Sequence, residues 1–428
     1  MNNKPNGWAL MPLGVFFALY ILTFALTGSL EKAPITIAFL LTTVVAIACS
    51  RGKIGERINV FCRGAADETI LLMVVIFVLA GAFAGSAKGM GAVDATVNAV
   101  LYLLPENMIP ASIFIAACFV SLSMGTSCGT IAALAPIAAG LAPQIGISIP
   151  AMIGIVVGGA MFGDNLSYIS DTTIVATRTQ EVRMKDKFIV NLNIVLPVAI
   201  LVMLIYIWQG FGLKGEMAGT DIAWLKILPY IVVLITALAG INVIVVLLCG
   251  ILLSGFIGLL DADFTAWTWM AEANNGILGM SELIIVSLIA GGMFKVIHYN
   301  GGIEWLITKL LRKISSKRTA EGSIAVLISF TNVCTANNTI ALLIVGPIAR
   351  KISDNFGIDR RRTASLLDTF SCFAQGLLPY GAQLLIASGI AGIRPISIVP
   401  HLYYPFLLGI AATVAIVFQW PRKFTRIK

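Results

Sequence analysis

Long apolar runs separated by short polar segments dominate this chain of 428 residues. A helix needs about 20 apolar residues to cross the hydrocarbon layer of a bilayer. The runs that approach this length predict about ten transmembrane helices. They are residues 8–28, 33–50, 69–87, 149–176, 188–210, 223–238, 241–260, 279–298, 363–389 and 399–420.

Two further apolar segments are interrupted at their centres by polar residues, which predicts hairpins rather than full spans. Residues 319–349 lie between two basic clusters, so both ends are expected on the same side of the membrane. Residues 110–141 have the same pattern, but their flanks lack basic residues. Because irregular polar backbone at membrane depth is tolerated only inside protein or along a cavity, we expect two re-entrant hairpins. Their polar tips are residues 125–130 and 331–339, and they enter from opposite sides.

Residue patterns recur about 210 positions apart, which indicates an internal repeat. Thr130 matches Thr339, and Phe162 matches Phe373. The first copy follows a basic loop and the second follows an acidic one, so the copies are expected in opposite orientations, as in many secondary transporters. The predicted division is an N-terminal two-helix segment (1–64), a first repeat (65–187), linking helices (188–278) and a second repeat (279–428).

The composition excludes a soluble protein. Residues of the hydrophobic class make up 58% of the chain and charged residues 12%, against roughly 25% charged residues in soluble domains. The expected fold class is an all-α polytopic membrane protein, with the two hairpins and the inverted repeat described above and the lipid bilayer as its surroundings. The net charge of +8 is spread over short loops, so no nucleic-acid partner is expected. The cysteines and histidines lack metal-ligand or nucleophile–base spacing, so neither an enzyme nor a cofactor is expected.

The basic residues indicate the orientation, because Lys and Arg concentrate in cytoplasmic loops. The basic segments are residues 51–64, 178–187, 309–318, 350–362 and the tail 422–428. They include Lys187, Arg312, Lys313, Arg362, Arg422, Lys423, Arg426 and Lys428. The protein is therefore expected in a bacterial-type cytoplasmic (inner) membrane, with both termini on the cytoplasmic side. The acidic segment 261–275 is expected outside.

The richest polar segment lies inside the apolar run 149–176. Its oxygen-bearing side chains are Asp164, Asn165, Ser167, Ser170, Asp171, Thr172 and Thr173. An ionised carboxylate within a bilayer costs at least about 2.5 kcal/mol and usually marks an ion path. Nearby glycines favour a broken helix, whose free carbonyl oxygens join Asp and Ser oxygens as hard ligands suited to Na⁺. We expect Asp164 and Asp171 to bind Na⁺ or protons.

This segment resembles the signature G-x-x-L-S-P-x-S-D-T-T of the NhaC-type sodium/proton antiporter family. The matching residues are Gly163, Leu166, Ser167, Ser170, Asp171, Thr172 and Thr173. Tyr168 stands where the family usually has proline, and Pro379 occupies the corresponding place in the second copy. The resemblance extends in layout to about residues 65–420 and implies an ion-coupled carrier. Relatives that carry amino acids leave the substrate open.

Further candidate residues come from the hairpin tips and from the second copy. Those at the tips are Thr126, Ser127, Thr130, Asn337, Asn338 and Thr339. In the second copy, Gln375 aligns with Asp164 and Gln383 with Thr172. Asp368 is a third candidate coupling residue, unless it lies at the cytoplasmic edge of its span. Helix N-termini at the tips would attract an anion, which favours an organic substrate with a carboxylate.

The leading hypothesis is a Na⁺/H⁺ antiporter, with Na⁺ and H⁺ as the coupling ions and no other cofactor. The alternative is a Na⁺- or H⁺-coupled amino-acid transporter, whose substrate is held by the polar tips. A channel is disfavoured, because paired hairpins and inverted repeats suit alternating access. The oligomeric state is open, with a homodimer as one option.

The charge pattern predicts a labelling experiment. In a cysteine-free background, Asn275→Cys should react with a membrane-impermeant maleimide added from outside, because its segment is acidic. Ser315→Cys should not react, because basic residues hold its loop in the cytoplasm. Labelling of Ser315→Cys from outside would contradict both the second hairpin and the inversion of the repeat.

Overall fold

The computed structural model describes residues 5–27, 34–167, 170–213, 223–311 and 314–421, and its regular structure there is helical throughout. The first half contains α1 (Met11–Thr27), α2 (Ile35–Ala48), α3 (Ile54–Ala65), α4 (Glu68–Gly89), α5 (Ala92–Leu103), α6 (Ile109–Met124), α7 (Ser127–Gln144), α8 (Ile149–Leu166), α9 (Asp171–Gln180) and α10 (Met184–Gly210). The second half contains α11 (Trp224–Leu238), α12 (Val243–Leu260), α13 (Ala266–Gly279), α14 (Ser281–Tyr299), α15 (Gly302–Leu311), α16 (Lys317–Thr335), α17 (Asn338–Phe356), α18 (Arg360–Leu377), α19 (Ala382–Ala391), α20 (Pro395–Ile398) and α21 (Tyr403–Val417). Tyr168, Arg312, Lys313, Arg422, Lys423, Arg426 and Lys428 lie outside the described residues.

The all-α membrane fold expected from the sequence is confirmed. Among the described residues, seven helical segments are long and apolar enough to cross a membrane, or eight if the bent pair α20–α21 counts as one span. Helices α2 and α11 have 14 and 15 residues, fewer than the roughly 20 that a crossing needs. The count of ten crossings and the re-entrant course of the hairpins therefore stay predictions.

The two halves repeat the same succession of helices. Helices α8 and α18 begin and end 211 positions apart, and so do α9 and α19. The backbone turns follow the same spacing, since left-handed φ angles occur at Gly125 and Ala336 and again at Gly146 and Gly357. The four-part division of the chain stays a prediction. The recurrence of α1–α10 in α11–α21, with α20 and α21 together in the place of α10, favours two halves that meet between α10 and α11.

The two halves pack against each other reciprocally: α3 of the first half packs along α14 of the second, and α13 of the second half packs along α4 of the first. Both crossings are close, and glycines make them possible. A Cβ atom on Gly64 would lie 2.6 Å from the carbonyl oxygen of Gly291, and one on Gly276 would overlap the carbonyl oxygen of Gly81. Small residues let membrane helices approach at backbone distance. The reciprocal contacts are those that a pseudo-two-fold axis between the halves produces.

Two residues expected in exposed basic loops are buried, and that part of the orientation argument is wrong for them. Lys187 lies inside α10 with 1% of its surface exposed, and Arg362 lies inside α18, also with 1% exposed. The Arg362 guanidinium pairs with Glu321 of α16 at 2.7 Å and donates to the carbonyl oxygens of Ala415 and Trp420. Each charge finds a partner within the protein, so neither needs water.

The glycine crossing between α4 and α13 predicts a sharp difference between two substitutions on one helix. Gly276→Ala places a methyl group against the backbone of Gly81, which cannot give way, so it should lower the free energy of unfolding by about 1–3 kcal/mol. Gly279→Ala is the control, since a Cβ atom there has no neighbour within 4 Å. Chemical denaturation in detergent measures both, and equal stability of the two variants would contradict the close crossing.

Candidate functional site

Two tight turns place the polar hairpin tips. Helix α6 ends at Met124, and its C-cap is Gly125, whose φ of 68° is a left-handed conformation that glycine adopts at little cost. The next residue, Thr126, is the N-cap of α7. In the second hairpin Ala336 takes the same place with a φ of 50°, and Asn337 caps α17. Each turn therefore presents the N–H groups that the first turn of a helix leaves unpaired.

Asp164 lies in the last turn of α8 and is 4% exposed. Its Oδ1 accepts a hydrogen bond from the backbone N–H of Ser127 at 3.1 Å, and its Oδ2 accepts one from the Ser127 hydroxyl at 2.5 Å. The carboxylate thus sits at the N-terminus of α7, where the helix dipole and two donors offset part of its lost hydration. Its remaining lone pairs can accept a cation or a proton.

The break between α8 and α9 frees backbone oxygens and gathers hydroxyl groups beside them. The carbonyl oxygen of Asp164 accepts a hydrogen bond from the Thr172 hydroxyl at 3.2 Å, and the hydroxyls of Ser170 and Thr172 are 2.9 Å apart. The Ser167 hydroxyl donates to the carbonyl oxygen of Leu122 at 2.9 Å and so ties the break to α6. The break predicted from the glycines is therefore present, within a candidate span that runs from residue 149 to 180.

A small pocket of about 90 Å³ lies where the two tips meet the α8–α9 break and the corresponding break between α18 and α19. Leu72, Met73 and Ile76 of α4 form part of its wall. The predicted site residues that line it are Thr126, Ser127, Asp164, Ser170, Asp171, Thr172, Asn337, Asn338, Thr339, Gln375 and Gln383. Asp171 begins α9 with an exposed side chain. At about 30 Å³ per water molecule, the pocket holds roughly three waters. It therefore has room for a partly hydrated ion.

Five predicted site residues do not line the pocket. They are Thr130, Asn165, Ser167, Thr173 and Asp368. The Thr130 hydroxyl donates to the carbonyl oxygen of Thr126 at 3.0 Å, so this residue supports the tip rather than the cavity. The others lie behind the break or along it, and their roles stay predictions.

A chain of amides joins the two halves across the pocket. The side-chain NH₂ group of Gln375 donates to Gln383 Oε1 at 2.8 Å, and that of Gln383 donates to the Ser127 hydroxyl at 2.9 Å. Since Ser127 donates in turn to Asp164, the second half is linked by hydrogen bonds to the carboxylate of the first. The tip of the second hairpin caps itself, because Asn337 Oδ1 accepts from the N–H of Ile340 at 3.0 Å.

Behind the α8–α9 break lies a buried ion pair between Lys187 of α10 and Asp368 of α18, with Nζ and Oδ2 2.7 Å apart. Both side chains are at most 1% exposed. Asn191, also on α10, donates from Nδ2 to Asp368 Oδ2 and to the carbonyl oxygen of Asn165, each at 2.9 Å. Asp368 is thus deep in the protein rather than at a cytoplasmic edge.

Sequence reasoning missed Lys187 and Asn191. Lys187 ends the basic segment 178–187 and Asn191 lies in the apolar run 188–210, so the charge and hydropathy patterns place neither residue in a site. The signal that could have found them is their spacing, because residues four apart share one face of a helix. A lysine and an asparagine on one face at the start of an apolar helix indicate a polar contact inside the protein.

Comparisons with known proteins place the chain among membrane antiporters. A sequence profile of the Na⁺/H⁺ antiporter family matches residues 7–211 and 215–420. The Na⁺/H⁺ antiporter NhaC of Bacillus subtilis (strain 168) is 22% identical over 388 residues, covering 82% of this chain and 84% of that protein. The malate-2H⁺/Na⁺-lactate antiporter of the same bacterium is 22% identical over 452 residues, covering 96% and 94%. The resemblance carried by the residues around Asp171 is thereby confirmed.

Solved structures were also compared. The YdaH transporter from Alcanivorax borkumensis aligns with a TM-score of 0.41 and 16% sequence identity, covering 90% of this chain and 98% of that one.

The buried ion pair predicts a pattern of stabilities. Asp368→Asn leaves the Lys187 ammonium buried without its partner, and Lys187→Met does the same to the carboxylate. Each should lower the free energy of unfolding by about 3–5 kcal/mol. The double variant, which removes both charges, should lose less than either single one. Lys185→Met, on the same helix turn but exposed, is the control and should change stability by at most about 0.5 kcal/mol.

Chemical denaturation of the purified variants measures this series. A double variant whose loss equals the sum of the two single losses would show that Lys187 and Asp368 act independently, contrary to the pairing.

Proposed function

We propose that this chain, which belongs to the Na⁺/H⁺ antiporter family, is a secondary antiporter that exchanges Na⁺ for H⁺ across a cell membrane. The family is one of transporters and not of enzymes. The observation that carries the proposal is the buried carboxylate of Asp164, which is held against α7 and lines a small polar pocket. An exchanger of two cations needs at least one site that binds them alternately, and a single carboxylate can serve as that site.

Competition at Asp164 supplies the exchange. A buried carboxylate in a membrane persists when an ion or a proton compensates its charge. Since one negative charge neutralises one monovalent cation, Na⁺ and H⁺ exclude each other at this group. Binding of Na⁺ then releases a proton, and the release of Na⁺ on the other side allows a proton to return. Transport should accordingly depend on pH.

The neighbours of Asp164 provide neutral oxygens for a sodium ion. The hydroxyls of Ser127, Ser170 and Thr172 line the same pocket, and they add ligands without adding negative charge. Asp171 lies on the other side of the break, with its carboxylate exposed to the pocket. We assign it the capture of the incoming cation and its transfer to Asp164. Asp368 is already paired with Lys187, so we place it outside the exchange step.

The size of the pocket supports an ion over an organic substrate. Its volume of about 90 Å³ is well below the roughly 300–1,000 Å³ of pockets that hold organic ligands.

The helix N-termini also argue against an organic carboxylate. In the first hairpin the N–H of Ser127 is already bonded to Asp164. In the second hairpin the N–H groups of Thr339 and Ile340 are bonded to the side chains of Asn338 and Asn337. Some of the N–H groups that an organic anion would use are therefore already bonded to side chains of the chain itself. An amino-acid transporter is the weaker alternative.

Alternating access fits the repeat. Two halves that pack reciprocally around a shared pocket can rock against each other while the site stays between them. We propose that the protein lies in a bacterial-type cytoplasmic (inner) membrane. Both termini are placed in the cytoplasm, as the basic loops predict. A homodimer stays a prediction.

The assignment of the two carboxylates predicts distinct outcomes. Asp171→Asn keeps the shape and removes the charge, so it should abolish Na⁺-driven proton movement in proteoliposomes while the protein remains folded. Asp164→Asn should reduce transport at least about 100-fold, because the exchanging carboxylate is gone. Asp354→Asn, at the exposed end of α17, is the matched control and should transport normally.

Two results would contradict this assignment. Wild-type rates with unchanged Na⁺ and pH dependence in both variants would place the ion site elsewhere. Proton or sodium currents that require an added amino acid would favour the amino-acid transporter instead.

A further inference from the structure

The ammonium group of Lys187 lies where a broken-helix transporter can hold a cation. It is at the C-terminal end of α8, with Nζ 2.7 Å from the carbonyl oxygen of Asn165. Such ends coordinate cations because the helix dipole is negative there and the carbonyl oxygens are free. The Thr173 hydroxyl and Asp368 Oδ2 also lie 2.7 Å from Nζ. Three oxygens from three helices therefore surround one positively charged atom.

The same cluster contains more oxygen atoms than Lys187 can satisfy. Its three contacts use all three N–H donors of the ammonium group. Asn165 Oδ1, Asn191 Oδ1 and Asp368 Oδ1 are buried and have no hydrogen-bond partner among the described residues. A buried acceptor left unpaired costs about 1–3 kcal/mol. A spherical cation has no fixed bond directions, so the three oxygens that contact Nζ suit an alkali ion as well as they suit an ammonium group.

We propose that the carbonyl oxygen of Asn165, the Thr173 hydroxyl and the Asp368 carboxylate, held in place by Asn191, form a second cation site, which the chain keeps filled with its own Lys187. The ligand class is a monovalent alkali cation, because the single carboxylate neutralises one positive charge. The site is separate from the pocket at Asp164, since neither Lys187 nor Asp368 lines that pocket. Lys187 thereby acts as a tethered ion that limits the protein to one exchangeable cation.

The second half has no counterpart of this arrangement. The residue 211 positions after Lys187 is Ile398, which is fully buried and apolar, and the residue 211 positions after Thr173 is Leu384, also buried. The first half alone thus supplies a tethered ammonium group, although its carboxylate partner, Asp368, comes from the second half. It adds a fixed positive charge beside the break without adding a second exchange site.

Removal of the lysine side chain tests the proposal. In Lys187→Ala, Asp368 is left without its cation, and Na⁺ should enter the vacated site and stabilise the protein. The background is Asp164→Asn with Asp171→Asn, in which the pocket has lost its carboxylates. Thermal unfolding is followed at alkaline pH in NaCl and in choline chloride of equal ionic strength. When Lys187→Ala is added to this background, Tm should be higher in NaCl than in choline chloride by at least about 3 °C, and the difference should saturate with the sodium concentration.

Two controls fix the origin of the effect. Further replacement of Asp368 by Asn should abolish the sodium response, because the site then has no charge to neutralise. Lys185→Ala in the same background should behave like the background, since this lysine is exposed. The choice of Na⁺ as the ion rests on the proposed function, whereas the oxygen atoms around Lys187 Nζ are observed independently of it.

The outcomes separate the two proposals. If sodium already raises the Tm of the Asp164→Asn, Asp171→Asn double variant, the assignment of the exchange site to these two residues is contradicted. The further rise in Tm after Lys187→Ala is added still decides the tethered-ion proposal. No additional response, or stabilisation by acid alone, overturns it. If Lys187→Ala aggregates in both salts while Lys187→Ala with Asp368→Asn is folded, the site cannot hold a free cation and the proposal is also overturned.

Discussion

A charge inside the protein must be compensated where it lies, and the rest of the structure follows from this constraint. The bilayer supplies neither water nor counter-ions, so each buried charge needs a partner from the chain or a transported ion. Arg362 has Glu321, and Lys187 has Asp368. Asp164 has hydrogen-bond donors but no ion-pair partner among the described residues. It is therefore the group at which a mobile cation contributes most.

The fold provides this uncompensated carboxylate by repeating a helix–break–helix unit and bringing both copies to one place. The glycine crossings of α3 with α14 and of α4 with α13 bring the halves to backbone distance. Both tips and both breaks then line one pocket. The hydrogen-bonded chain from Gln375 through Gln383 to Ser127 reaches Asp164 from the opposite half. A relative movement of the halves must stretch or break this chain, so it connects the conformation of the repeat to the environment of the carboxylate.

The sequence predicted the parts of this site that carry a local signal. The polar tips, the break and the carboxylates Asp164 and Asp171 interrupt apolar runs, and they stand out because water cannot solvate them there. Lys187 and Arg362 were misplaced because charge-based orientation treats each basic residue as exposed, and a buried partner such as Glu321 is 41 positions away in sequence. The short helices α2 and α11 show the same limit, since apolar length alone does not determine how many residues are helical.

The repeated backbone carries unequal chemistry, and this inequality explains how a symmetric fold can serve one ion. In the first half, the N-terminus of α7 binds the carboxylate of another helix, Asp164, at which we propose that the cations exchange. In the second half, the N-terminus of α17 is capped by its own Asn337 and Asn338, so no carboxylate is drawn to it. Gln375 stands in place of Asp164 and forms hydrogen bonds without a charge. Symmetry thus supplies two related conformations, whereas the substitutions confine the exchangeable charge to one side of the interface.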